Sequence, residues 1–142
     1  MEVIALLIVL VLVIAVVIIA FKVRKTKPSL IKSDTCLKGH EFEHYCASLL
    51  RDNGFDEVEV TRGSGDFGTD ILAEKDGVTY AVQCKYYTSP VGVKAVQEAY
   101  AGRDYHDRMV GAVMTNQYFT GPAVEAAKKL KILLWDADYL GI

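Results

Sequence analysis

Apolar residues are concentrated at the start of the chain, where residues 3–21 form an unbroken run without a charge, a Gly or a Pro. At about 1.5 Å of rise per residue, a helix over this run is about 29 Å long, close to the hydrocarbon thickness of a bilayer. A lone strand in lipid would leave its backbone polar groups unpaired, whereas a helix pairs them internally. The run therefore predicts a transmembrane helix, although Val and Ile dominate it.

The charges beside this run predict its orientation. Glu2 precedes the run, and residues 22–27 contain four basic side chains. A cleaved signal peptide would show the basic residues before the run and small residues after it. The observed order instead favours an uncleaved anchor with its basic flank in the cytoplasm. We therefore expect a single-pass cell-membrane protein with a transmembrane helix at 1–21, a juxtamembrane linker at 22–36 and a cytoplasmic domain at 37–142.

Beyond the linker, apolar positions recur either at helical spacing or in strand-like alternation. The predicted helices cover residues 37–52, 91–103 and a segment that begins at 120, and the predicted strands cover residues 55–61, 70–75, 78–87, 110–115 and 132–135. Because helices separate the later strands, this order predicts an α/β sandwich in which helices flank one mixed central sheet.

An Asp-Gly pair at residues 76–77 is typical of a two-residue hairpin turn. A two-residue loop at this point sets the register of the two strands and places Asp70 opposite Gln83. Opposed residues of an antiparallel pair project from the same face with Cβ atoms about 5 Å apart. Lys85 lies two residues beyond Gln83 and shares that face. The spacing therefore predicts that Asp70, Gln83 and Lys85 cluster at one end of the hairpin.

Such a cluster suits metal-assisted hydrolysis of a phosphodiester. Mg²⁺ prefers oxygen ligands, which Asp70 and Gln83 supply, and Lys85 can orient the attacking water or offset developing negative charge. One carboxylate binds Mg²⁺ weakly, so Glu43 on the first helix is the candidate for a second, and Mn²⁺ is the candidate substitute ion. From spacing alone, an ordinary cross-strand ion pair between Asp70 and Lys85 is the commoner arrangement.

Three sequence motifs add to this interpretation. Residues 39–43 read Gly-His-Glu-Phe-Glu, residues 63–70 read Gly-Ser-Gly-Asp-Phe-Gly-Thr-Asp, and residues 83–85 read Gln-Cys-Lys. Together they resemble the Mrr-like restriction endonucleases, a branch of the PD-(D/E)xK nuclease superfamily with a Q-x-K variant of the motif. The resemblance extends over about residues 37–140, which is nearly the whole domain after the linker.

The resemblance implies a restriction-endonuclease-like sandwich and a metal-dependent DNA endonuclease of the restriction or DNA-processing type. It implies that Asp70, Gln83 and Glu43 bind Mg²⁺ and that Lys85 is catalytic, with no small-molecule cofactor. Since cutting both strands of a duplex usually takes two active sites, we also expect a homodimer.

The Gly-rich loop is the candidate contact for phosphate. Glycines let the backbone approach an anion closely, and successive N–H groups can form an anion-binding nest. A tight turn that needs positive φ explains the same glycines. The candidate DNA contacts in this loop are Arg62, Gly63, Ser64 and Gly65, and Asp66 is expected to cap the loop.

Other features favour different functions. After residue 21 the chain has 16 basic and 17 acidic side chains, a net charge of −1, which is atypical of a nucleic-acid-binding protein. This near-neutral charge, together with the single candidate carboxylate ligand on the hairpin, motivates an alternative in which a non-catalytic DNA-binding or membrane-side assembly module retains the nuclease fold. Residues 40–44 match the H-x-x-E-H motif of zinc peptidases, a remote alternative that needs a third protein ligand. If these residues bind no zinc, His40 and His44 are expected to be two partly exposed side chains on the outer side of the helix.

Some residues are assigned a structural role. His106 lies in a polar loop and is expected to be solvated. The tyrosines at 86, 87, 100 and 105 can stack on bases, but packing or subunit contacts are expected for most of them. The three cysteines lack C-x-x-C spacing and fit reduced thiols of a cytoplasmic domain.

Overall fold

The computed structural model describes residue 14, residues 39–63 and residues 65–142. The chain divides into two units, and all the elements below belong to the second, Thr35–Ile142. The predicted membrane helix (apart from residue 14), the linker, Cys36 and Ser64 lie outside the described residues. Within the described part of the chain, no helix combines the length and the apolar character that crossing a membrane requires.

Four helices and five strands form the described domain. In chain order they are α1 (Gly39–Asp52), β1 (Asp56–Val60), β2 (Ile71–Lys75), β3 (Val78–Lys85), α2 (Val93–Tyr105), β4 (Val110–Thr115), α3 (Gly121–Leu130), β5 (Ile132–Trp135) and α4 (Ala137–Leu140). The predicted order is confirmed up to β5, with element ends displaced by one or two residues. The sequence prediction missed α4, which is a single turn and therefore too short to show helical periodicity.

The strands form one five-stranded sheet in the order β1-β2-β3-β4-β5. β1, β2 and β3 are antiparallel, whereas β3, β4 and β5 are parallel. The helices α2 and α3 are the crossover connections that parallel neighbours require. The predicted mixed sheet is therefore confirmed.

The β2–β3 hairpin has the predicted register. Lys75 pairs with Val78, and Ile71 pairs with Val82. Both turn residues have positive φ, 53° at Asp76 and 77° at Gly77, as a type I′ turn requires. The positions of the candidate site residues on β3 follow from this register.

Two clusters of buried side chains cover the two faces of the sheet. On one face, α1 packs against alternate residues of β2, β3 and β4, including Ile71, Val82 and Met114. On the other face, α2 and α3 pack against Val113 of β4. Because successive residues of a strand point to opposite faces, Gln83 faces the α2 side and Cys84 faces α1. Cys46 and Cys84 are both buried and free.

Candidate active site

Asp70 lies immediately before β2 and extends its pairing with β3. Its backbone N–H donates to the carbonyl of Val82 at 2.8 Å. Its carboxylate Oδ2 accepts hydrogen bonds from Gln83 Nε2 at 2.5 Å and from the backbone N–H of Cys84 at 2.6 Å. The structure therefore brings Asp70 and Gln83 into direct contact, as the hairpin register predicts.

The environment of Asp70 disfavours its ionised form. Burial raises the pKa of its carboxyl from 3.8 to about 6, and the nearby charges of Glu43 and Asp66 also raise it. The hydrogen bond from Cys84 and the charge of Lys85 lower the pKa of Asp70 without cancelling these effects. The carboxylates of Glu43 and Asp66 thus both disfavour the ionised form of Asp70.

Gln83 is buried beside Asp70, with 4% of its surface exposed. Its Oε1 atom is buried and has no hydrogen-bond partner among the described residues. Gly68 adjoins this oxygen, because a Cβ added at Gly68 would lie 2.8 Å from Gln83 Oε1 and 2.9 Å from Glu98 Cβ. The amide oxygen therefore lies between the Gly-rich loop and α2.

Lys85 forms its ion pair with Glu98 of α2, at 2.7 Å between Nζ and Oε2. The expected alternative, a direct pair with Asp70, is not the arrangement observed, although the charge of Lys85 lowers the pKa of Asp70. Lys94, one helical turn before Glu98, is a second and more distant partner at 3.8 Å. The sequence prediction missed Glu98, because the Lys94–Glu98 spacing alone suggests an ordinary surface pair.

Glu43 reaches this end of the hairpin from the opposite face of the sheet, because α1 carries it. Its Oε2 lies 3.0 Å from His40 Nδ1, and its charge raises the pKa of Asp70. The charge of Glu43 therefore acts on Asp70, while its carboxylate is hydrogen-bonded to His40.

The H-x-x-E-H motif places His40 and His44 side by side on the exposed side of α1. Their Nε2 atoms are 3.2 Å apart and their ring centroids 4.6 Å apart. Among the described residues, no group of three or more His, Cys, Asp or Glu side chains could hold a metal ion. The described chain therefore offers no third ligand for the zinc-peptidase alternative, and both histidines are exposed as expected.

The Gly-rich loop is tied to the rest of the site. Asp66 caps it as predicted, since its carboxylate accepts from Thr61 Oγ1 at 3.2 Å and from the N–H of Gly68 at 3.3 Å. His106 Nε2 donates to the carbonyl of Asp66 at 3.1 Å. The expectation that His106 is simply solvated is therefore wrong. The hydrogen bond of His106 to Asp66 connects the Gly-rich loop to the end of α2.

The remaining candidate DNA contacts are at the start of this loop. Gly63 and Gly65 have φ of 75° and 78°, in the left-handed region that favours glycine. Arg62 is exposed, and its guanidinium has no ion-pair or hydrogen-bond partner among the described residues.

Solved structures with similar folds include three that align with 70–73% of this chain. A protein of unknown function, AF1548, is 28% identical with a TM-score of 0.61. The DNA modification-dependent restriction endonuclease AspBHI is 23% identical with a TM-score of 0.54. The MspJI restriction endonuclease, solved with a 27-mer oligonucleotide, is 21% identical with a TM-score of 0.54.

This chain spans 60% of the length of AF1548, 29% of AspBHI and 27% of MspJI. At these identities the two restriction endonucleases support the fold, and no curated protein matches the chain. The restriction endonuclease family model with the Mrr-type catalytic domain matches residues 35–141. Because this match covers most of the chain, the protein belongs to the Mrr-type restriction endonuclease family.

Proposed function

We propose that this chain is a membrane-anchored, Mg²⁺-dependent DNA endonuclease that hydrolyses phosphodiester bonds, with Mn²⁺ as a substitute metal. The observation that carries the proposal is the contact of Asp70 with the buried Gln83, beside the ion pair of Lys85 with Glu98. A partly buried carboxylate, a buried amide and an ammonium lie together at one strand end, where apolar residues would pack better.

The donor set fits a weakly held Mg²⁺. Asp70 and Gln83 would hold the ion and Glu43 would add charge from α1. The ion prefers few protein ligands, with waters and substrate phosphate as the others. The unpartnered Gln83 Oε1 and the raised pKa of Asp70 both support a cation here. Gln83 now presents Nε2 to Asp70, so rotating its amide would present the oxygen to the ion. Bound Mg²⁺ would supply Lewis acidity, polarising a phosphoryl oxygen and acidifying water.

The protein side chains supply positioning and charge. Glu98 holds the ammonium of Lys85 at 2.7 Å on the α2 face, which limits the positions that Nζ can take. An ammonium held there can orient the attacking water and offset the negative charge that develops on the phosphoryl oxygens. Glu98 thus acts through Lys85, and we assign it a positioning role.

DNA as the substrate rests on the family and on similar folds. The solved MspJI structure contains an oligonucleotide, and the EndoMS structure, 19% identical with a TM-score of 0.52, contains double-stranded DNA. The free guanidinium of Arg62 and the glycines of the loop suit a DNA phosphate. A homodimer would provide the two sites that cutting both strands of a duplex requires.

A plasmid assay tests the activity. The full-length chain, purified in detergent, is incubated with supercoiled plasmid in Mg²⁺, in Mn²⁺ and in EDTA. We expect nicking in both metals, none in EDTA, and none with Asp70→Ala. DNA binding without cleavage in any metal would instead support the non-catalytic binding module. Zinc-dependent proteolysis that is lost in His40→Ala would support the peptidase alternative.

The proposed anchor places the C-terminal domain in the cytoplasm, at the inner face of the cell membrane. Its support is the apolar run at residues 3–21 with its basic flank. A reporter that is active only in the cytoplasm, fused after Ile142, tests this topology. We expect an active, membrane-associated fusion. An inactive reporter at the membrane would contradict the orientation, and a fusion recovered without membranes would contradict the anchor.

A further inference from the structure

Two exposed aromatic rings lie next to the candidate active site. Phe67, in the Gly-rich loop, is 57% exposed, and Tyr105, in the last turn of α2, is 56% exposed. Their ring centroids are 4.0 Å apart with an interplanar angle of 30°, so the rings are stacked. Packing alone does not account for this pair, because more than half of each side chain remains in water.

The backbone at Phe67 adds a second observation. Its φ is 50°, in the left-handed region that bulky residues rarely adopt. The loop contains three glycines that adopt this region at little cost, yet an aromatic residue occupies one of its left-handed positions. Backbone strain of this kind is often retained where a side chain has a function.

The ring pair is held rigidly. The residue before Phe67, Asp66, accepts a hydrogen bond from His106, whose ring packs edge-on against Tyr105 with centroids 5.0 Å apart. The residue after Phe67, Gly68, packs against Glu98 and Gln83. The stacked rings are therefore fixed at one end to the α2 helix and at the other to the candidate catalytic side chains.

The charge nearby suits a nucleic acid. Arg62, five residues before Phe67 in the same loop, has no charged partner among the described residues. A loop that carries both an exposed aromatic ring and an exposed guanidinium suits a nucleotide, whose base can stack on the ring while its phosphate meets the cation.

We propose that Phe67 and Tyr105 form a stacking platform for an unpaired nucleobase of the DNA substrate, adjacent to the phosphodiester that the Asp70–Lys85 site cleaves. This inference rests on the proposed nuclease function and deepens it. The platform fixes the position of the strand by stacking, which is tolerant of base identity because every base has a π-face. It thereby contributes affinity that the nearly neutral charge of the domain does not supply.

DNA affinity tests the platform. Binding of the full-length chain in detergent to a labelled single-stranded oligonucleotide, whose bases are free to stack, is measured by fluorescence anisotropy in EDTA, for Phe67→Leu, Phe67→Trp and Tyr105→Leu. Stacking of one base on an aromatic ring is worth about 5- to 150-fold in affinity. We expect each Leu variant to bind at least about fivefold more weakly, and Phe67→Trp to bind as tightly as the wild type. Tyr105→Leu keeps the test decisive if the Phe67 variant misfolds, because Tyr105 lies in a regular helix.

Tyr139 provides a matched control. It is 49% exposed and stacked on Trp135, with centroids 5.3 Å apart, but it lies next to β5, two strands from β3. Tyr139→Leu should bind DNA as the wild type does. An equal loss in Tyr139→Leu would show a general effect of surface aromatics and would overturn the platform.

Three further outcomes would overturn the proposal. If the wild type nicks plasmid in Mg²⁺ while Phe67→Leu and Tyr105→Leu bind DNA normally, the platform is wrong and the nuclease function stands. If these variants lose binding to vesicles of anionic phospholipid while their DNA affinity is unchanged, the rings contact the membrane. If the wild type neither binds nor cuts DNA, the proposed function fails and the platform fails with it.

Discussion

The partly buried carboxylate of Asp70 is predicted to destabilise the folded protein at neutral pH. Burial raises its pKa from 3.8 to about 6, so ionisation costs more in the folded chain than in the unfolded chain. Below about pH 4 the carboxyl is protonated in both states and the cost is absent. The cost develops as the pH rises between these pKa values and is complete above about pH 6. Stability therefore falls with rising pH across this window.

The Asp70→Asn substitution removes this cost. Since one pH unit corresponds to about 1.4 kcal/mol, the raised pKa is equivalent to about 3 kcal/mol at pH 8. The new amide retains an oxygen that can accept from the N–H of Cys84 and from Gln83 Nε2, as Asp70 Oδ2 does in the wild type. We therefore expect Asp70→Asn to raise the free energy of unfolding by about 2–3 kcal/mol at pH 8.

Urea denaturation of the full-length chain in detergent measures this effect. The fluorescence of Trp135, the single Trp, reports unfolding because its ring packs against Phe55. The gain should fall by about half at pH 5, where the wild-type carboxyl is largely protonated in the folded state. Asp107→Asn, which changes an exposed carboxylate, should alter the stability by no more than about 0.5 kcal/mol. A destabilised Asp70→Asn variant at pH 8, or a gain that does not change with pH, would refute the reasoning.

Three further predictions follow from the site. Mg²⁺ should raise the thermal unfolding midpoint of the wild type but not of Asp70→Asn, and an equal shift in both would exclude Asp70 as a ligand. Glu98→Gln should lower kcat for DNA cleavage at least about tenfold with KM unchanged and Glu98→Asp should restore part of it, whereas Lys94→Ala, which removes only the distant partner, should cut normally. Gly102→Ala should destabilise the fold by about 1–3 kcal/mol, because its Cβ would collide with Thr69 Oγ1 and lie 3.2 Å from the carbonyl of Phe67. Gly121→Ala, where the added Cβ meets nothing within 4 Å, is the control, and equal stability of the two variants would contradict the packing argument.

The part of the site that lies on the hairpin was predictable from sequence. A two-residue turn fixes the register of its strands, so counting from residues 76–77 places Asp70 opposite Gln83. The mixed sheet was predictable from hydrophobic periodicity. Strands and helices repeat their apolar positions at different spacings, so the order of the elements could be read along the chain. Local rules suffice wherever the partners are linked by a short turn.

The contacts between distant elements were not predictable in this way. Glu98 meets Lys85 only because α2 packs across the face of β3, and no local pattern encodes that packing. His106 meets Asp66 across 40 residues for the same reason. Glu43 was named as a second acid because one carboxylate binds Mg²⁺ weakly, and the family resemblance added support; its spacing on α1 does not specify which face of the sheet the helix covers.

The central claim is that Lys85 catalyses DNA cleavage at a metal-dependent site on the β2–β3 hairpin. The most direct measurement is the single-turnover rate of plasmid cleavage in Mg²⁺, with saturating protein, for the wild type and Lys85→Met. Positioned charge and proton transfer contribute about 10²- to 10⁴-fold to such reactions. We predict that Lys85→Met binds the plasmid within about threefold of the wild type and cleaves it at least about 100-fold more slowly. Cleavage by Lys85→Met at the wild-type rate, or wild-type cleavage that persists in EDTA, would contradict the claim.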